Sequence, residues 1–162
     1  MRKDLKKNKK GFTLVEIIVV LLIIGILLAI TIPSIMGYVG KAKDAQIQAD
    51  ARTAYVGAQT ITAREVATDS AVTNTTIEGK INKDSVNTEA GTTITQYIKC
   101  KVDATTRNLQ KCLIRVDGDA NKYVYFKAGV NGKAGDSKVI AKDKVAADTD
   151  ASELAETTTP SK

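Results

Sequence analysis

The residue whose chemistry is least at home in its surroundings is Glu16. It lies in a run from Phe12 to Ile32 that is otherwise interrupted only by Thr13, Gly25 and Thr31. A carboxylate inside an apolar spanning helix costs about 2.5 kcal/mol or more, so such a residue marks a function with a partner to be found. Other reactive groups are scarce. The chain has no histidine, which removes the usual general base, the Ser-His and Cys-His nucleophile pairs and the commonest metal ligand. No pair of carboxylates is singled out by its context, so neither a catalytic residue nor a cofactor is expected, and the chain does not read as an enzyme. Asp117-Gly118-Asp119-Ala120-Asn121 has the acidic spacing of a calcium loop, but Lys122 and Ala128 stand where an EF-hand requires Gly and Glu. It reads as a turn, and no metal site is expected. Residues 129–138 are glycine-rich, but Gly132-Lys133-Ala134 lacks the Ser or Thr of a phosphate-binding loop, which leaves a flexible loop. Cys100 and Cys112 are the only cysteines. They suit either a disulfide closing a short loop or two reduced core residues.

The element that must carry Glu16 is long enough to cross a membrane. Its 21 residues exceed the span that a hydrocarbon core of about 30 Å requires of a helix. Arg2, Lys3, Lys6, Lys7, Lys9 and Lys10 precede it against a single acid, Asp4, so residues 1–11 hold +5 of the net charge of +6. Basic residues stay on the cytoplasmic side of a membrane segment, which puts the body of the chain outside. There an oxidising compartment favours the disulfide. The near-neutral body gives no basic surface for nucleic acid, so nucleic acid is not an expected partner. The apolar run is longer than the core of a secretory signal, and no Ala-x-Ala cleavage pattern follows it. A plain anchor explains length and charge but not Glu16.

The sequence Gly-Phe-Thr-Leu-Val-Glu at residues 11–16, behind a basic leader and ahead of the closing Pro33, resembles the class III signal of type IV prepilins. The likeness is close over residues 6 to 45 and extends beyond them only in general layout. It implies cleavage between Gly11 and Phe12 by a prepilin peptidase, methylation of the new Phe12 amine, and pairing of Glu16 with the N-terminal amine of a neighbouring subunit. The chemistry agrees: cleavage exposes an α-amino group of reference pKa near about 8 in an apolar setting, where a carboxylate is its natural counter-ion. Glu16 lies about 6 Å along a helix axis from Phe12, which suits a pair between staggered chains better than one within a chain. The bland alternative is that Glu16 snorkels to the headgroups. Pro33 should kink or locally break the helix, and in the family a proline here accompanies local melting in the filament; the alternative is that Pro33 ends one helix and a second begins. Gly25 and Ala29 form a small-xxx-small pair that lets helices approach closely.

Residues 34–67 are rich in helix formers and carry two apolar stripes on nearly opposite sides. Ile35, Val39, Ala42, Ala49, Val56 and Ala63 make one; Ile47, Ala51, Ala54, Ala58 and Ile61 make the other. Two stripes imply two partners. Residues 68–93 are rich in Thr, Asn, Asp, Ser and Gly and read as a connecting loop with one short turn of structure at most; Asn74-Thr75-Thr76 is a glycosylation sequon. Strands are predicted over 94–102, 111–116 and 122–126, the last two forming a hairpin about the Asp117–Asn121 turn, with a further short strand at 139–141. From Lys142 large apolar residues are limited to Val145 and Leu154, which predicts a tail that is mobile or loosely docked, with a solvated tail as the default.

The expected fold class is therefore α+β: a long N-terminal helix, half transmembrane and half amphipathic, packed on a small antiparallel sheet as in type IV pilins. The expected divisions are a removed leader at 1–11, a membrane and filament-core helix at 12–33, its amphipathic continuation at 34–67, a globular head at 68–141 and a tail at 142–162. The resemblance implies a structural subunit that waits in the cytoplasmic membrane and then polymerises into a helical homo-oligomeric filament on the cell surface, with a prepilin peptidase and inner-membrane assembly machinery as partners. A pseudopilin of a secretion or competence system, or a minor pilin acting as a binding module at a tip, shares the same signal.

Overall fold

The computed structural model describes residues 11–129, 135–148 and 151–155. A single helix, α1 (Leu14–Thr68), contributes to two compact units, Met1–Lys41 and Ala42–Lys162. In the first unit the described residues are Gly11–Lys41, and every one of their side chains is exposed. Leu, Ile, Val and Ala satisfy the backbone internally as a helix, while their side chains find nothing among the described residues to pack against. Exposure of the large apolar residues here runs from 45% at Ile24 to 78% at Phe12, and the most apolar 18-residue window has a mean hydropathy of 3.1. The helix does not end at Pro33, which removes the reading of two separate helices. Pro33 offers no N–H to the carbonyl of Ala29, and just before it the Thr31 hydroxyl donates to the carbonyl of Leu27 at 2.6 Å.

The second unit is built on a four-stranded antiparallel meander, β1 (Thr95–Val102), β2 (Leu109–Val116), β3 (Lys122–Lys127) and β4 (Asp136–Ala141), in the order β1-β2-β3-β4. Period-2 alternation gives the sheet two faces. Ile98, Cys100, Val102, Cys112, Ile114, Val124 and Phe126 join the cluster under α1. Leu113, Tyr123, Tyr125 and Ile140 form a second cluster on the other side. The β2–β3 hairpin turns at Asp117–Asn121, where Gly118 takes φ 106°, a conformation that suits glycine. Cys100 and Cys112 lie directly opposite each other across β1 and β2, with Cα atoms 4.1 Å apart, and are joined by a disulfide inside the core.

The part of α1 in this unit lies on the sheet through Ile47, Ala51, Ala54, Gly57, Ala58, Ile61 and Thr62. Small residues bring the backbones close: a Cβ on Gly57 would stand 3.2 Å from the carbonyl oxygen of Val86. Tyr55 stacks on Phe126 with ring centroids 4.8 Å apart. At the lower end Asp44 accepts from Lys122 at 2.5 Å and the Gln48 amide donates to the Ser137 hydroxyl at 2.7 Å, fixing the helix to β3 and β4.

Two expectations are corrected. Residues 68–93 are not mainly loop: they form α2 (Asn74–Lys80) and α3 (Lys83–Ala90). Thr73 and Asn82, polar residues that read as turn formers, are the N-caps, with Asn82 and Ser85 completing a capping box. Val72, Ile77, Ile81 and Val86 are buried in the core beneath α1, and that burial outweighs the low helix propensity of the segment. Along the outer edge of β1, Asn87 of α3 exchanges two hydrogen bonds with the backbone of Thr95 and Glu78 of α2 accepts from the Val102 N–H at 2.9 Å, so side chains stand in for a further strand.

The second correction concerns the tail. Lys142–Val145 form a short helix, α4, and Ser152–Leu154 a 3-10 turn. Val145, Ala151 and Leu154 are buried against Leu113, Tyr123, Tyr125 and Ile140. The carbonyl of Leu154 accepts from the Tyr97 hydroxyl at 2.6 Å, while Glu153 pairs with Lys111 at 2.5 Å and Asp148 with Lys138 at 2.6 Å. Few apolar residues are needed because the sheet already presents a tyrosine-lined hydrophobic face. Residues 149–150 and 156–162, the leader before Gly11 and half of the glycine-rich loop, 130–134, lie outside the described residues; β4 begins within the stretch expected to be loop.

Candidate processing and assembly site

At its N-terminal end α1 begins abruptly. Gly11, Phe12 and Thr13 are non-helical and exposed, and Leu14 is the first helical residue. Thr13 is the cap: its hydroxyl oxygen accepts from the Glu16 N–H at 3.2 Å, and its carbonyl accepts the first intrahelical bond, from the Ile17 N–H at 3.3 Å. Glu16 thus occupies the third position of the helix, where a carboxylate is favoured by the exposed N–H groups and the helix dipole. Its carboxylate is exposed and makes no ion pair among the described residues. A peptide bond outside the helix and an unpaired acid one turn inside it are therefore set side by side. Of these residues Gly11, Phe12 and Glu16 are legible from sequence as chemistry. Thr13 is not, although Thr-x-x-Glu before an apolar run is itself a helix-start signature.

Beyond Glu16 the helix offers surface only. A Cβ on Gly25 would meet nothing within 4 Å, as would one on Gly37 or Gly40. In the second unit the stripe that packs inward is the one containing Ile47 and Ile61. The stripe formed by Ala49, Val56 and Ala63 faces out, with Val56 52% exposed. A cavity of about 610 Å³ runs beside it between α1 and α3, lined by Ala45, Ala49, Arg52, Val56, Gly57 and Ala90. The carboxylates of the β2–β3 turn are taken up structurally: Asp119 accepts from the Asn121 N–H at 2.9 Å and lies 3.8 Å from the Lys122 ammonium, and Asp117 accepts from the Gln96 side-chain amide at 2.8 Å. The residues that organise this chain's N-terminus are hydrophobic, charged or capping in kind.

Residues 6–32 match the family model described as the prokaryotic N-terminal methylation motif. The chain carries the class III signal peptide of type IV pilin-like proteins. That signal implies processing by a prepilin peptidase and entry into pilus-type machinery, and with the apolar helix it fits a membrane-anchored precursor. It is shared by pilins and pseudopilins and points to a structural subunit. No solved structure matches the chain. The architecture, one long helix against a four-stranded antiparallel sheet, is α+β and consistent with a type IV pilin fold.

Proposed function

We propose that this pilin-like protein is a filament-forming subunit of a type IV pilus serving adhesion, surface motility or biofilm formation. The leader, residues 1–11, is removed by cleavage between Gly11 and Phe12, and the Phe12 amine is methylated. Residues 12–33 hold the precursor in the cytoplasmic membrane and later form the filament core, with Pro33 as the place where the helix bends or melts. Residues 34–67 carry the head, which extends from 68 through the docked C-terminal segment. In the filament the Glu16 carboxylate faces the N-terminal amine of a neighbouring subunit.

The observation that carries this reading is the state of α1. Its first unit is apolar on all sides and exposed throughout, and its single acid has no partner among the described residues. Lipid can solvate the aliphatic side chains but supplies no fixed counter-charge for Glu16. A bundle of identical helices supplies both, because each copy brings one new amine and one carboxylate. Glu16→Ala and Glu16→Leu should leave leader removal intact and abolish or severely reduce surface filaments, scored by electron microscopy and by the mobility shift on processing. Normal filaments from either variant would contradict the pairing.

A further inference from the structure

We propose that Thr13 is a positioning residue for leader removal: as the helix cap it holds the Gly11–Phe12 peptide bond out of the helix, where a peptidase can reach it. The proposal rests on the reading of Gly11–Phe12 as the bond that is cut. In an α-helix each N–H bonds the carbonyl four residues back. If α1 ran one turn further, the Glu16 N–H would bond the carbonyl of Phe12 and the Val15 N–H that of Gly11. The scissile carbonyl would then be engaged in the ladder, and the residues on both sides would be locked in helical dihedrals.

The Thr13 hydroxyl prevents this directly, because it takes the Glu16 N–H, the donor on which the first step of that extension depends. The helix accordingly starts at Leu14, and Gly11, Phe12 and Thr13 remain non-helical and exposed. Nothing else in the local sequence would stop the helix so sharply. Phe12 is a tolerable helix residue, and Gly11 is an acceptable N-cap, so loss of the hydroxyl transfers the cap from Thr13 to Gly11 and puts Phe12 in the first turn. The Glu16 carboxylate stays unused: it accepts no hydrogen bond from the Thr13 N–H among the described residues, so capping and assembly draw on different groups of the same motif.

The test compares Thr13→Ser, which keeps the acceptor oxygen, with Thr13→Val, which keeps the branched shape without it. Full-length precursors in liposomes are incubated with a type IV prepilin peptidase. Initial rates of leader removal are measured, together with the Phe12 Cα chemical shift in the uncut chain. The expected result is a wild-type rate for the serine variant and a lower rate for the valine variant, by up to about fivefold, the factor by which a typical cap shifts the equilibrium between the two helix starts. The Phe12 shift should become helical only in the valine variant. Equal rates for all three chains, with the wild type cut at Gly11–Phe12, would overturn the proposal and leave the cleavage site standing. A slow valine variant whose Phe12 stays non-helical would also overturn it, assigning the hydroxyl a direct contact with the peptidase. A wild-type chain that is not cut at Gly11–Phe12 would overturn the underlying reading and this proposal together.

Discussion

Ala54 and Val56 lie two residues apart on α1 and answer to different partners. Ala54 is 1% exposed beneath the head's core, whereas Val56 is 52% exposed on the outward stripe. An aspartate at either position adds one charge to the same helix; the propensity loss is about 0.7 kcal/mol at most for Ala54→Asp and close to nil for Val56→Asp, small beside the cost of burial. At position 54 the carboxylate has no room and no counter-charge, and an unpaired buried charge costs about 3–5 kcal/mol, a large share of the 5–15 kcal/mol that is about all a domain possesses. At position 56 the carboxylate stays in water, where surface changes fall within about 0.5 kcal/mol, and Arg52 one turn earlier offers only an exposed pair worth a few tenths. Ala54→Asp should thus unfold or strongly destabilise the head, while Val56→Asp should melt like the wild type. The assay is thermal unfolding of the full-length protein in detergent micelles, followed by near-ultraviolet circular dichroism of the packed tyrosines. Filament formation reverses the ranking of interest. If the outward stripe is covered by a neighbouring subunit, Val56→Asp buries a charge at each contact, and about 3 kcal/mol weakens each contact more than a hundredfold. A stable Val56→Asp head with no filaments is the expected outcome. Abundant filaments from this variant would refute the second partner, and a Val56→Asp head that fails to fold would refute the assignment of the two faces.

Two further predictions concern the C-terminal segment. Leu154 is wholly buried, so Leu154→Ala should remove about 2–5 kcal/mol of its docking and speed hydrogen exchange over 142–155 while β1 and β2 stay protected; unchanged exchange would show that the segment is not held by this side chain. The Lys111 ammonium bonded to Glu153 holds that carboxyl below its usual range, so its contribution is present above the ordinary carboxylate range and is lost as pH falls through the lowered value. The Glu153 midpoint, read by carbon NMR, should rise toward the ordinary value in Lys111→Gln, and an unmoved midpoint would contradict the pair.

Much of this chain was legible because its patterns are local. Glu16 in an apolar run and the hairpin about Asp117–Asn121 each follow from a few adjacent residues, whereas the register that sets Cys100 opposite Cys112 does not. What stayed hidden depends on contacts far apart in sequence. Val145 and Leu154 are too sparse to announce a packed segment, and the tyrosine-lined face that receives them is assembled from strands that come earlier. Thr73 and Asn82 read as loop residues because the preference that makes them turn formers also makes them caps. Periodicity shows that α1 has two apolar stripes but not which one its own head takes. That choice is made by Ile47 and Ile61, and by Gly57, whose missing side chain admits α3. Thr13 is masked for another reason: the acid three residues on stands out against the membrane segment, although the same spacing marks where a helix begins.

The central claim is that the apolar helix, once freed of its leader, becomes the core of a polymer. Mass spectrometry of the N-terminus in filaments sheared from the cell surface tests it most directly. The expected subunit begins at methylated Phe12 and makes up long, abundant fibres. A chain that keeps Met1 to Gly11 and remains a dispersed membrane monomer would contradict it.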